Sequence, residues 1–259
     1  MTAAADVAPV AARLRAAGCV FAEDEAQLLI SAARTPDELD AMIERRVAGL
    51  PLEQVVGWAQ FCGLRIAVEP GVFVPRRRTE FLVREAAALV GTRPVVVDLC
   101  CGAGALGVAL AAVRQVELHA ADVDPAAVAC ARRNVEPAGG RVYQGDLFEA
   151  LPAALRGRVD VLLANVPYVP TGEIELLPGE ARLHEPPVAL DGGTDGLDVL
   201  RRVADEARLW LAPGGHALVE TSERQAPAAV DAFARGGLRV RVATDHELGA
   251  TVVIGTRRG

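Results

Sequence analysis

The chain has 259 residues, 51% of them hydrophobic, and a formal net charge of −7. This length accommodates one large α/β domain with a small addition, no apolar run approaches the roughly 20 residues of a membrane span, and the acidic balance argues against broad binding to nucleic-acid phosphates. All 27 basic side chains are arginine, which excludes chemistry that needs a lysine amine.

In chain order, residues 1–60 read as a helical N-terminal domain. The alanine-rich start lacks a basic stretch followed by an apolar one, so no secretory signal is expected and a cytoplasmic location is assigned. Thr35-Pro36-Asp37-Glu38 forms a capping box, with a hydroxyl at the cap, proline at the first helical position and a glutamate three residues after the cap. Ala26-Gln27-Leu28-Leu29-Ile30 places apolar side chains on one helical face. Residues 61–78 read as a linker in which LRIAVEPGVFV alternates around Pro70-Gly71, predicting a β-hairpin that turns at that pair. Thr79 is expected to cap a helix over EFLVREAAALV.

From 79 to 259 the pattern alternates. Strands are predicted over 95–99, 116–121, 141–145, 159–165 and 216–221, with helices around 105–113, 125–134 and 195–210. Such alternation builds a parallel sheet covered by helices on both faces. The final pair, GLRVRVAT and GATVVIGTR, is joined too closely for a helical crossover, so those two strands should run antiparallel.

The stretch VVVDLCCGAGALG sets Asp98, Cys100, Cys101, Gly102, Ala103 and Gly104 on the turn between the first of these strands and its helix. Glycines let a ligand approach the backbone, and the helix start offers free N–H groups. Gly102, Gly104 and Gly107 spell G-x-G-x-x-G, and Asp122 follows about twenty residues later, at a place suited to ribose hydroxyls. A nicotinamide dinucleotide is therefore one reading. The other is a ligand bearing a positive amino group, such as S-adenosylmethionine, because Asp98 would repel a pyrophosphate on that turn. Asp146 would accept from an adenine amino group, with Leu147 against the ring. The five cysteines lack C-x-x-C spacing and read as reduced thiols, and the four scattered histidines offer no metal site.

After the strand VDVLLA comes Asn165-Val166-Pro167-Tyr168. This stretch resembles the Asn-Pro-Pro-Tyr signature of methyltransferases that act on planar amide or amino nitrogens. Together with PLEQVVGWAQFCGLRIAVEPGVFVPRRRTEFLV, NVPYVPTGEIELLPGEARLHEPPVALDGGTDGLDVLRR and LAPGGHALVETSERQ, it is similar to the HemK-like protein-(glutamine-N5) methyltransferases. The resemblance covers most of residues 50–259. It implies a seven-stranded Rossmann-like sheet with an antiparallel C-terminal strand, S-adenosylmethionine as cofactor, and the Gly-Gly-Gln glutamine of a peptide-chain release factor as methyl acceptor. It also implies a helical N-terminus that docks the protein substrate, with no direct nucleic-acid or membrane partner. The Asn165 side-chain oxygen and the Val166 carbonyl would each accept one N–H of the acceptor amide, Pro167 would stiffen the loop, Tyr168 would pack against the amide, and Asn165 would also border the cofactor.

Several residues depart from the family pattern. Val166 replaces its first proline but still supplies a carbonyl. Cys100 stands where glycine is commoner, Arg77 and Arg78 where proline and glutamate are usual, and Glu220-Thr221-Ser222 in place of a more apolar stretch. The Arg76–Arg78 run reads either as a solvated basic patch or as a contact for an acidic partner. These departures keep open a different acceptor (a ribosomal-protein glutamine, a nucleobase or a small molecule), or a paralogue that binds cofactor and partner without turnover. DGGTDGLD (191–198) lacks the last glutamate of a calcium loop and is expected to form a tight turn into the next helix.

Overall fold

The computed structural model describes residues 6–259, so residues 1–5 of the expected helical domain lie outside the described residues. The helical module comprises α1 (Val7–Ala16), α2 (Ala22–Ala32), α3 (Pro36–Val47) and α4 (Leu52–Val56). Thr35 caps α3 as the sequence suggested, its hydroxyl accepting from the Glu38 N–H at 3.2 Å. Glu38 reaches back to the Arg34 N–H, at 2.7 Å, instead of to the cap residue itself. Leu14, Ala26, Leu29 and Ile43 close a small apolar core. Beside it lies a buried charge cluster. The Arg46 guanidinium donates to both carboxylate oxygens of Glu25, at 2.6 and 3.1 Å, and to the Leu50 carbonyl at 3.0 Å.

The hairpin exists, but earlier than predicted. It pairs β1 (Trp58–Phe61) with β2 (Leu64–Ala67) and turns at Cys62-Gly63. Both turn residues have positive φ, 48° and 77°, the geometry that a two-residue hairpin loop requires. Pro70-Gly71 makes an isolated turn closed by Val72 N–H on the Glu69 carbonyl at 3.1 Å. No strand returns from it, because Val72 and Val74 instead bury themselves in the main core. Thr79 also differs from expectation. It ends a 3₁₀ turn, Arg77–Thr79, that runs directly into α5 (Glu80–Leu89), and its buried hydroxyl caps nothing.

The rest is a doubly wound sheet. In chain order it contains β3 (Val95–Leu99), α6 (Ala105–Val113), β4 (Glu117–Asp122), α7 (Pro125–Val135), β5 (Arg141–Gln144) and β6 (Val159–Ala164). There follow the short helices α8 (Gly179–His184) and α9 (Pro187–Leu190), then α10 (Asp198–Trp210), β7 (Leu211–Thr221), α11 (Ala226–Arg235), β8 (Arg239–Asp245) and β9 (Ala250–Thr256). The spatial order is β5-β4-β3-β6-β7-β9-β8, parallel except for β9, which runs antiparallel to both its neighbours. The central strands are apolar on both faces. Val96, Val161 and Leu163 point into one core with α5 and α6, while Val97, Leu99 and Leu162 point into the other with α10 and α11. The chain winds one way from β3 to β4 and the other way to β6, so the loops at their carboxyl ends part and open a crevice there. No described helix is long and apolar enough to cross a membrane.

The buried Arg46 also reaches Glu180 of α8, at 2.7 Å, and so joins the helical module to the sheet domain. Replacing Arg46 by leucine leaves Glu25 buried without its partner. We expect this to cost about 3–5 kcal/mol, measured as a lower denaturant midpoint in urea.

Candidate active site

A cavity of about 810 Å³ occupies the crevice at the ends of β3, β4 and β6. One end is bordered by the glycine turn, Asp122 and Asp146-Leu147, and the other by Asn165–Val169, the 73–79 segment and residues 177–190. Its size suits a cofactor and an inserted acceptor group together.

The glycine turn is held from below. Asp98 is fully buried and accepts the Gly107 N–H at 2.9 Å, and burial pushes its carboxyl up to about 8. Gly104 starts α6 with φ 77°, and a Cβ there would stand 2.6 Å from Val135. Neither residue lines the cavity; both support the turn that does. Cys100, Cys101, Gly102 and Ala103 face the opening. At Gly102, φ 53°, a Cβ would meet nothing within 4 Å, so the backbone lies bare toward a ligand. Cys100 holds φ 51°, a backbone that favours glycine, with the side chain at the cavity wall. Burial, reinforced by the neighbouring carboxylates, pushes both thiols well above their usual range, which suppresses thiolate formation beside an electrophile.

Asp122 ends β4 with both carboxylate oxygens engaged, one by Gly102 N–H at 2.8 Å and the other by Asp124 N–H at 3.0 Å. Burial raises its pKa against those hydrogen bonds. Asp146 lies at the same end, paired with Arg202 at 2.7 Å, beside the buried Leu147.

At the other end Asn165 follows the last residue of β6. Its Oδ1 is buried and has no hydrogen-bond partner among the described residues. Val166 lines the cavity while its side chain joins the core cluster of Leu147, Phe148 and Leu197. Its valine side chain therefore fills apolar space. Tyr168 is braced on its main chain by Gln225 Nε2, which donates to its carbonyl at 2.9 Å.

These strand-end loops are those of a known group of enzymes. A family model described as "Methyltransferase small domain" matches residues 63–182. The release factor glutamine methyltransferase of Geobacter sulfurreducens is 37% identical over 230 residues, covering 86% of this chain and 80% of that protein. The chain belongs to the release factor glutamine methyltransferase family. At 38% identity over 230 residues it is also similar to a 4-amino-L-phenylalanine/4-methylamino-L-phenylalanine methyltransferase of Streptomyces pristinaespiralis, covering 85% of this chain and 78% of that one. Among solved structures, a methyltransferase from Pyrococcus furiosus has the same fold, with a TM-score of 0.58 at 16% identity over 76% of this chain and 90% of that one. The protein is thus an S-adenosylmethionine-dependent methyltransferase, and the open backbone at Gly102 and the apolar Leu147 wall fit that cofactor.

Against the family pattern, the Arg76–Arg78 run is solvent-accessible, yet two of its three side chains turn to buried carboxylates. Arg76 pairs with the buried carboxylate of Glu185 at 2.6 Å, and Arg78 with the buried Glu220 at 3.1 Å; Arg77 and Arg78 are both exposed, and Arg77 makes no ion pair among the described residues. Glu185 also accepts the Val74 N–H at 3.0 Å. Arg78 donates to the Tyr168 hydroxyl as well. Arg202, Glu185 and Gln225 were not singled out from sequence, and Glu220 only as a departure from the family pattern; their partners are distant in the chain and no local motif marks them. DGGTDGLD does form the tight turn into α10, and it does more. A Cβ at Gly196 would stand 2.3 Å from the Tyr168 carbonyl oxygen, and one at Gly192 2.7 Å from that of Pro167. The two glycines let the turn press against the Pro167-Tyr168 backbone.

The raised pKa of Asp98 makes the folded state hold a proton that the unfolded chain releases. The associated stability is fully present below the unfolded carboxylate pKa and is lost as pH rises through about 8. Asp98→Asn keeps the acceptor for Gly107 and removes the titration. Its melting temperature should therefore fall less between pH 5 and pH 9 than that of the unaltered enzyme, as read by a thermal-shift series.

Proposed function

We propose that this enzyme transfers a methyl group from S-adenosylmethionine to the side-chain amide nitrogen of a protein glutamine, the acceptor being the Gly-Gly-Gln glutamine of a peptide-chain release factor in the cytoplasm. The observation that carries this reading is the unpartnered Asn165 Oδ1 at the tip of β6. A buried acceptor without a donor is costly, and a primary amide brings two N–H groups to satisfy it. Relatives across the family bear the corresponding name, as in Geobacter sulfurreducens.

When bound, the cofactor supplies an electrophilic methyl group. The chain's own work is positional. An amide nitrogen is a weak nucleophile because its lone pair is delocalised into the carbonyl. Asn165 Oδ1 and the Val166 carbonyl, by accepting one N–H each, fix the nitrogen's direction and favour a lone pair aimed along the line of attack. Pro167 restricts Val166 to extended backbone, and Tyr168 packs against the amide plane. Positioning of this kind supplies up to about 7–11 kcal/mol in well-oriented reactions.

The relative from Streptomyces pristinaespiralis supports a second reading, a small aromatic amine carrying an amino-acid head. Its carboxylate would meet Arg76 and Arg78, which line the cavity; both are already paired with glutamates, and this weighs against it.

Incubation with S-adenosylmethionine and either a release factor or 4-amino-L-phenylalanine, followed by mass spectrometry, separates the readings. One added methyl group on the Gly-Gly-Gln glutamine is expected, and methylation of the small amine alone would overturn the proposal. Asn165→Ala should lower kcat by about 100-fold or more, with cofactor affinity by calorimetry changed little.

A further inference from the structure

We propose that Arg78 is a positioning residue for methyl transfer, acting through the hydroxyl of Tyr168 to fix its ring at the acceptor end of the cavity. The inference rests on the role given above to Tyr168. Three side chains form a closed network. Arg78 Nη2 donates to the Tyr168 hydroxyl, Arg78 Nε donates to Glu220 Oε1 at 3.1 Å, and the Tyr168 hydroxyl donates to the same Glu220 oxygen at 3.2 Å. The guanidinium carbon lies 5.8 Å from the centre of the Tyr168 ring. Glu220 is 2% exposed and stands behind the cavity, whereas Arg78 lines it and is half exposed.

The main chain of Tyr168 is held by Gln225, and that of Val169 by its N–H on the Leu190 carbonyl at 3.0 Å. What this leaves to be fixed is the rotation of the ring, and the hydroxyl makes the side chain's only hydrogen bonds among the described residues. The planar guanidinium presents two donors at a fixed angle, one for each oxygen, a geometry an ammonium or an amide does not reproduce. Glutamate at position 78 would set a second carboxylate against Glu220 and could not make this clamp. The device therefore belongs to the Arg78–Glu220 combination of this chain.

A purely structural Arg78 would only neutralise the buried Glu220. Four variants, R78Q, Y168F, R78Q/E220Q and R78Q/Y168F, tell the two apart. R78Q should lower kcat by about tenfold or more while leaving the dissociation constant for S-adenosylmethionine within about twofold. Adding E220Q should restore the melting temperature but not kcat. In the Y168F background R78Q should cost less than about threefold further, since residues acting as one unit are not additive. Recovery of kcat together with stability in R78Q/E220Q, or an undiminished R78Q effect in the Y168F background, would overturn the proposal.

A readout that needs no acceptor accompanies these. The chain has two tyrosines, so ring-labelled tyrosine NMR gives signals for Tyr143 and Tyr168 alone. R78Q should shift or broaden those of Tyr168 and spare Tyr143; unmoved Tyr168 signals would overturn the proposal. Should the unaltered enzyme fail to methylate a release factor, the acceptor assignment falls, and the NMR comparison still decides the role of Arg78.

Discussion

An amide oxygen withdrawn from water and given no donor is an expensive thing for a fold to maintain. Asn165 Oδ1 is such an atom, and much of the surrounding architecture serves to keep it where it is. The parallel strands β3 and β6 end side by side, their helices depart to opposite faces, and the loops separate into a crevice. Val166 anchors the next step of the chain in the core, and the turn at Gly192 and Gly196 presses on the backbone beyond it. On the proposed reading, the acceptor glutamine supplies the missing donor and completes the site.

The charges around the cavity are disposed so that few groups compete for an electrophilic methyl. Both thiols on the glycine turn are held protonated by burial. Asp122 is engaged by backbone N–H groups, Asp146 by Arg202, Glu185 by Arg76 and Glu220 by Arg78. Burial, with the Glu220 carboxylate adding to it, pushes the Tyr168 phenol up to about 12, so it stays a neutral ring. Chemistry that depends on a weak nucleophile benefits from such surroundings, since selectivity then follows from which atom is aimed and not from which is most basic.

The sheet was legible because its evidence is local. Continuous apolar runs such as VVVDL, glycine at a turn needing positive φ, and proline opening a helix each act within a few residues. The hairpin was misplaced because the alternation of LRIAVEPGVFV continues past the strand's end, while the true turn, Cys62-Gly63, lacks the usual Asn-Gly cue. Thr79 looked like a cap, yet the helical path already begins before it. In sequence the arginine run reads either as a solvated patch or as a contact for an acidic partner, because sequence shows charge and not its counterpart within the fold. Arg76 and Glu185 lie 109 positions apart, Arg78 and Glu220 142. Asp98 was placed against the ligand for a similar reason. Its position after an apolar strand is visible in sequence, but whether the carboxylate faces the cavity or the underside of the turn depends on how α6 packs.

Arg46 has one further consequence. Its guanidinium is shared between Glu25 inside the helical module and Glu180 on α8, where Glu180 and Ala181 border the cavity. The two modules are therefore not interchangeable parts on a string. A chimaera that borrowed its first helices from a relative would have to bring along a matching α8, or the graft would sever the wall of the crevice from its outer support.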